Sequence, residues 1–228
     1  WTNLSELTLH MFTRIRLIDK SFFNGLNHLK FVSISEFYYL EFIHPELFDS
    51  TPDLEALYLN GDGRLRLYVV ENALIGKVNK LKYLSLQRFQ TDIYESSSIG
   101  KNFTNALVGK QLLYLDLSYA NIAGVSLVDN SHDALYKLKY LNISHSKLPL
   151  YGILQSELLD TLPKLEVADF SGCETFVTNP RVNTVNIDNC IMPQELKYVF
   201  LDNVFVSQKE IRLQQEEQYT NCSYCNRL

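Results

Sequence analysis

The chain has 228 residues, a formal net charge of −5, and a composition in which 46% of the residues are hydrophobic and 21% are charged. This composition excludes a disordered chain, which would hold fewer apolar and more charged residues. The 21 basic residues are outnumbered by 26 acidic ones and form no run, so no nucleic-acid partner is expected.

The pattern Leu-x-x-Leu-x-Leu, with some apolar substitutes for leucine, recurs along the chain. Copies begin, in chain order, at Leu4, Leu29, Leu54, Leu81, Leu112, Leu138, Leu165, Val182 and Leu196. Most intervals between copies are 25 to 31 residues, whereas the last two are 17 and 14. A period near 20–29 residues is typical of leucine-rich repeats. The two short intervals leave little chain to cross the back of a repeat.

The x-Leu-x-Leu part of each copy predicts a short strand, because side chains two residues apart lie on one face of a strand. Residues two apart lie on different sides of a helix, which argues against an amphipathic helix. One such strand cannot bury its own apolar face, but stacked strands bury theirs together. The predicted fold is therefore α/β: a leucine-rich-repeat solenoid with a curved parallel β-sheet on the concave face and irregular or short helical segments on the convex side.

The repeat pattern also divides the chain. We expect about nine repeats over residues 1–205, with the last two short or degenerate, and a flanking or capping segment over residues 206–228. The chain begins inside the pattern, as expected for a section of a longer solenoid. No apolar stretch approaches the roughly 20 residues that span a bilayer, so membrane attachment is expected only through a parent chain.

Two columns of side chains between the strand leucines are predicted to point away from the core on the concave face. They are rich in aromatic residues and become mildly acidic toward the C-terminal half, which suits a basic partner, although any single aspartate fits a solvated face with no ligand better. Aromatic residues are enriched in protein interfaces, but they also stack between strands without binding anything, and both interpretations stay open. The candidate ligand-binding residues are Phe31, Tyr58, Tyr83, Tyr114, Asp116, Tyr140, Asp169 and Tyr198.

Catalytic and metal-binding motifs are missing from the sequence. It holds no Gly-x-Ser-x-Gly, His-Glu-x-x-His or Gly-rich phosphate-binding motif, and its five histidines lack the spacing of metal ligands. We therefore expect neither an enzyme nor a cofactor nor a metal site. The partner is expected to be a protein or another macromolecule.

Four Asn-x-Ser/Thr sequences, at Asn3, Asn102, Asn142 and Asn221, are candidate glycosylation sites. A glycan on Asn142 would lie on the concave face and move ligand contact elsewhere. Cys222 and Cys225 are candidates for a disulfide at the end of an extracellular domain, since no second Cys-x-x-Cys pair is present to complete a zinc site.

Two segments carry a resemblance to a known family. Residues 115–122 read Leu-Asp-Leu-Ser-Tyr-Ala-Asn-Ile and residues 141–148 read Leu-Asn-Ile-Ser-His-Ser-Lys-Leu. They resemble the Leu-x-Leu-Ser-x-Asn-x-Leu signature of animal extracellular leucine-rich-repeat proteins. With its Phe-x-x-Leu-x-x-Leu segments and irregular repeat lengths, the chain is most similar to the ectodomains of Toll-like receptors.

This resemblance implies a macromolecule-recognition module of an extracellular innate-immune receptor, in which ligand binding brings two chains together as a homodimer or heterodimer and starts signal transduction. The alternative is a secreted leucine-rich-repeat protein with a scaffold, matrix or immune-complex role and no signalling domain. The family places Asn or Cys eight residues after the first leucine of a repeat. Here Cys173 and Cys190 fit, so buried free thiols are expected there rather than a disulfide, whereas Phe37, Phe89 and Ala120 depart from the family pattern.

Overall fold

A computed structural model of the chain describes residues 2–11, 14–61, 64–89, 98–122, 124–125, 134–147, 159, 162–173 and 193–200. In chain order its helices and strands are β1 (Glu6–Leu9), β2 (Leu17–Ile18), β3 (Phe31–Ser35), β4 (Phe42–Ile43), β5 (Ala56–Asn60), α1 (Leu67–Leu74), β6 (Tyr83–Ser85), β7 (Ser98–Ile99), α2 (Lys101–Leu107), β8 (Tyr114–Asp116), β9 (Gly124–Val125), β10 (Tyr140–Asn142), β11 (Val167–Asp169) and β12 (Tyr198–Phe200).

One sheet organises the molecule. Eight strands pair side by side in the order β1-β3-β5-β6-β8-β10-β11-β12, and every pair is parallel. Two small parallel sheets, β2-β4 and β7-β9, lie outside it. Each strand of the large sheet comes from one leucine copy, which confirms the predicted solenoid with its parallel sheet.

The core is a stack of leucine layers behind this sheet. The leading leucines from Leu29 to Leu165 are each at most 1% exposed, and the strand leucines Leu57 and Leu84 are fully buried. Phe23, Phe48 and Leu162 close the layers from the convex side and are at most 1% exposed. Helices α1 and α2 pack against each other, so the convex side carries the expected short helical segments. No helix in the described part of the chain is long and apolar enough to span a membrane.

The sheet passes directly from the copy beginning at Leu165 to the copy beginning at Leu196. Strand β11 bonds directly to β12, with Val167 opposite Tyr198. Residues 182–187 lie outside the described residues, so the count of about nine repeats, with the last two short or degenerate, stays a prediction. The two short intervals of 17 and 14 residues together make 31, the interval between Leu81 and Leu112. The predicted boundary at residue 205 lies in an undescribed stretch and stays a prediction.

A left-handed residue ends the turn after most strands. Positive φ angles occur at Met11, Glu36, Arg88, Tyr119, His145 and Gly172, each one position before the site where the family places Asn or Cys. Of the residues that come next, the five that the structure describes, Phe37, Phe89, Ala120, Ser146 and Cys173, are at most 3% exposed. Backbone N–H and C=O groups of neighbouring turns hydrogen-bond to each other, as Tyr119 N does to Ser144 O at 2.8 Å. Apolar packing thus replaces an asparagine ladder in this chain.

Lys110 is a buried cation on the convex side. It is 5% exposed, and its Nζ donates a 3.0 Å hydrogen bond to the carbonyl of Leu74, the last residue of α1. Burial lowers the pKa of this amine from 10.5 to about 8. The charged form is therefore penalised in the folded state relative to the unfolded state.

This burial predicts an unusual pH dependence of stability. Between pH 8 and 10.5 the unfolded chain holds the Lys110 proton and the folded chain has released it, so the free energy of unfolding rises with pH. From pH 7 to 9.5 we expect a gain of about 2 kcal/mol relative to Lys110→Met, at about 1.4 kcal/mol per pH unit. Urea unfolding of both proteins under reducing conditions measures this difference. A constant difference across that range would contradict the lowered pKa.

Candidate ligand-binding surface

The predicted ligand-binding residues lie in two adjacent columns on the concave face. The first column, matched strand by strand, holds Glu6, Phe31, Ala56, Tyr83, Tyr114, Tyr140, Val167 and Tyr198. The second holds Thr8, Ser33, Tyr58, Ser85, Asp116, Asn142, Asp169 and Phe200. The intervening strand residues are directed into the core. The structure therefore brings all eight candidates together on one face, and their binding role stays a prediction.

Aromatic rings in the first column stack between strands. Tyr114 and Tyr140 are parallel within 6° at a centroid distance of 4.5 Å, and Tyr83 lies 6.4 Å from Tyr114. Near the N-terminal end, Phe31 reaches across small Ala56 to Tyr58 in the second column, at 5.4 Å. The cross-strand ladder considered for the sequence is thus present. It leaves part of the surface available, because Tyr83 is 40% and Tyr198 48% exposed.

The phenols of Tyr114 and Tyr140 have raised pKa values and are neutral at physiological pH. Burial raises the pKa of Tyr114, with a smaller contribution from the Asp116 carboxylate. Burial and then the charges of Asp169 and Asp116 raise the pKa of Tyr140. These phenols can therefore donate hydrogen bonds to a ligand or to neighbouring side chains.

Asp116 is buried beneath its neighbours. It is 3% exposed, and its Oδ1 accepts a 2.9 Å bond from the amide of Ser118. Its Oδ2 accepts bonds from Gln87 Nε2 at 2.8 Å and from the Tyr114 hydroxyl at 3.3 Å. Both oxygens are occupied within the protein, so the geometry argues against direct ligand contact by Asp116 and points to a role in holding the turn after β8.

The same turn recurs after the next two strands. Asn142 Oδ1 accepts from the amide of Ser144, and Asp169 Oδ1 from the amide of Ser171, both at 2.9 Å. Short side chains of this kind commonly bond a backbone amide two residues on. The interpretation of the second column as a ligand surface missed this role. The signal is present in the sequence as the triplet Asp/Asn-x-Ser at residues 116–118, 142–144 and 169–171.

An open depression lies at the C-terminal end of the face. Its volume is about 460 Å³, and it is lined by Tyr140, Val167, Asp169, Tyr198 and Phe200. Val167 interrupts the aromatic column between two tyrosines and creates the space. Among the described residues, the amide of Ser171 is the hydrogen-bond partner of the Asp169 carboxylate. Asp169 is also half-buried, whereas Asp116 is buried.

Alternating charges line the edge where the strands begin. Glu55 pairs with Lys82 at 2.7 Å, and Glu166 accepts from both Lys139 and Lys197 at 2.7 Å. The two lysines lower the pKa of Glu166 to about 2 through these hydrogen bonds. Exposed pairs of this kind each contribute under about 1 kcal/mol. Their effect here is to neutralise Lys82, Lys139 and Lys197, each of which directly precedes a residue of the first column.

The modification candidates fall into different environments. Asn3 is exposed, and Asn102 is exposed on α2, whereas Asn142 is half-buried. Cys173 is a buried free thiol, as predicted, whose Sγ lies 3.3 Å from the carbonyl of Ile143. Burial raises its thiol pKa to about 11. Asn221, Cys190, Cys222 and Cys225 lie outside the described residues.

The described residues contain no group of three or more His, Cys, Asp or Glu side chains placed to hold a metal ion. The face instead presents stacked rings, hydroxyls and the accessible carboxylates of Glu6 and Asp169, at opposite ends. This arrangement offers contact area and hydrogen bonding to a bound macromolecule. Solenoid sheets commonly serve as extended binding surfaces of this kind.

Comparisons with known proteins agree with this architecture. The leucine-rich-repeat family model matches residues 2–63, and no curated protein sequence is significantly similar to the chain. The structure of the complex of TLR13 with ssRNA13 superposes with a TM-score of 0.54 and 18% identity, over 79% of this chain and 23% of that chain.

Two further solved structures share the repeat architecture at lower similarity. The leucine-rich-repeat domain of APL1B has a TM-score of 0.44 and 16% identity over 86% of this chain and 56% of that chain. The LRIM1/APL1C complex has a TM-score of 0.45 and 16% identity over 90% of this chain and 40% of that chain. The chain thus spans less than two thirds of the length of each of these neighbours. By its repeats, its parallel sheet and its superposition on the TLR13 structure, the chain has the fold of a leucine-rich-repeat solenoid.

Proposed function

We propose that the chain recognises a protein ligand through its concave face, as the ligand-binding module of an extracellular receptor of the Toll-like type. The observation that carries the proposal is the pair of concave columns, in which partly exposed tyrosines stand beside an accessible carboxylate. Tyrosine provides rigid amphipathic contact area and is enriched at the centres of protein interfaces.

The charge of the face favours protein over nucleic acid. TLR13, the fold neighbour, is described in complex with a single-stranded RNA. Binding an RNA backbone requires lysine or arginine at the phosphates. In the eight described strands the two concave columns hold neither residue. Three of the four lysines that directly precede a first-column residue, Lys82, Lys139 and Lys197, form ion pairs with glutamates.

The extracellular part of the proposal is supported by the glycosylation sequences, since Asn3 and Asn102 both lie on exposed surface where a glycan can be carried. Ligand-induced pairing of two chains follows from the resemblance to Toll-like receptors and is part of the proposal. A secreted protein without a signalling domain would use the same face, so the binding experiment applies to both.

Site-specific photocrosslinking tests the proposed surface. The photoreactive residue p-benzoylphenylalanine is placed at Tyr83, on the concave face, or at Tyr68, which is 48% exposed on α1. Both variants are expressed in the full protein on the cells that make it. We expect a discrete protein adduct from position 83 and none from position 68. Adding Tyr140→Ala and Tyr198→Ala should lower the yield of the position 83 adduct by about fivefold, which corresponds to a loss of about 1 kcal/mol of binding free energy.

Three results would contradict the proposal. An adduct from Tyr68 alone would place binding on the convex side, and an RNA adduct from Tyr83 would replace the protein ligand. An adduct yield unaffected by the two alanine substitutions would return the tyrosines to a purely structural role in the sheet.

A further inference from the structure

The depression at the C-terminal end of the concave face has a specific chemical character. Tyr140 and Tyr198 come from strands β10 and β12, and neighbouring strands lie about 4.8 Å apart, so the two rings stand on strands about 10 Å apart. Val167 on the strand between them is too short to fill the gap. Because Tyr114 stacks on one face of Tyr140, the other face of that ring borders the depression.

Asp169 lies on β11, the strand between the two tyrosines, and belongs to the second column. Its Oδ1 bonds the amide of Ser171, and no other described residue hydrogen-bonds its carboxylate. Asp116 differs at this point because Gln87, from the preceding strand's turn, is long enough to reach it. Ser144, two residues after Asn142, occupies the corresponding place beside Asp169 and is shorter.

We propose that this depression binds the guanidinium group of an arginine side chain of the protein ligand. The inference rests on the proposed function and adds to it the chemistry of one contact. The aliphatic part of the arginine packs on Val167, the guanidinium lies over a tyrosine ring, and its N–H groups reach the free oxygen of Asp169.

The chemistry of arginine matches each of these surfaces. A guanidinium is planar, stacks on aromatic faces and forms paired hydrogen bonds with a carboxylate, whereas a lysine ammonium is a strongly hydrated point charge. The raised pKa of Tyr140 keeps its phenol neutral, and Asp169 supplies the carboxylate of the described lining. A carboxylate beside tyrosine rings therefore selects a flat cation.

The test uses Nα-acetyl-arginine amide as the probe and the full protein labelled with ¹³C in its tyrosine rings. We expect saturable shifts of the Tyr140 and Tyr198 signals. Asp169→Asn should weaken binding by at least about tenfold, which corresponds to about 1.4 kcal/mol. The variant keeps the turn intact, because Asn142 already holds Ser144 in the same way. Glu6→Gln removes the same charge from β1, at the other end of the face, and should leave the affinity unchanged.

Two further probes separate arginine from weaker alternatives. Nα-acetyl-citrulline amide has the same shape without the charge, and Nα-acetyl-lysine amide has the charge without the planar group. Either one binding as tightly as the arginine probe would overturn the assignment, as would unsaturable shifts or an unchanged affinity in Asp169→Asn. If those results came with a protein adduct at position 83, they would contradict the arginine site but not the proposed protein-binding face. If no adduct formed either, both proposals would be contradicted.

Discussion

We expect Gly61→Ala to lower the free energy of unfolding by about 3 kcal/mol, near the upper end of the cost of overpacking a core. A Cβ at position 61 would overlap the edge of the Phe37 ring, at its Cδ2, Cε2 and Cζ atoms. That ring is 1% exposed and is held in the core by the turn after β3. Because a packed interior leaves no space for the ring to move into, the added methyl group forces the turn and the sheet apart locally.

A second glycine separates this steric effect from backbone strain. Gly25 has a φ of +81°, and a Cβ there would meet nothing within 4 Å. Gly25→Ala should therefore cost only the left-handed backbone penalty, about 1 kcal/mol. Urea unfolding of both variants provides the comparison. Equal losses in the two proteins would mean that Phe37 yields to the methyl group.

A double-mutant cycle gives a further check on the same contact. Phe37→Leu removes the ring atoms that the new Cβ would meet, so adding Gly61→Ala to Phe37→Leu should cost clearly less than it costs in the original chain. Residues in direct contact show coupling energies of about 0.5–3 kcal/mol in such cycles. A coupling near zero would show that the cost arises from the backbone at Gly61 instead.

Much of the fold follows from local pattern alone. The leucine copies, the alternation of inward and outward strand residues and the convex phenylalanines are all periodic, and each repeat contacts mainly its neighbours. The two columns from Phe31 to Tyr198 could therefore be assigned in register from the sequence. The exception is the copy beginning at Val182, whose apolar pattern matches a repeat but whose spacing does not fit the period, and β11 pairs directly with β12.

The distinction between Asp116 and Asp169 could not be made in this way. Both occupy the same position of a repeat and begin the same Asp-x-Ser triplet. Their difference depends on the length of one side chain in the preceding turn, Gln87 beside Asp116 and Ser144 beside Asp169. Such a contact joins residues about one repeat apart, and it has no periodic signature. Function on a repeat surface is decided by these unrepeated contacts.

This difference leads to the second large effect. Asp116→Ala should lower the free energy of unfolding by about 3 kcal/mol. The substitution leaves the buried Ser118 amide without a hydrogen-bond acceptor and removes the acceptor of Gln87 and Tyr114. Asp116→Asn should cost less, since an amide oxygen can still accept from Ser118 as Asn142 does from Ser144.

Asp169→Ala provides the matched control for this prediction. It removes an acceptor with one described partner from a half-buried position, so we expect a loss of about 1 kcal/mol. Guanidinium unfolding of the three variants measures the order. Similar losses for Asp116→Ala and Asp169→Ala would mean that Gln87 and Tyr114 add nothing to the turn. The expected order instead makes one carboxylate a support of the sheet and leaves the other, two strands away, free to meet a ligand.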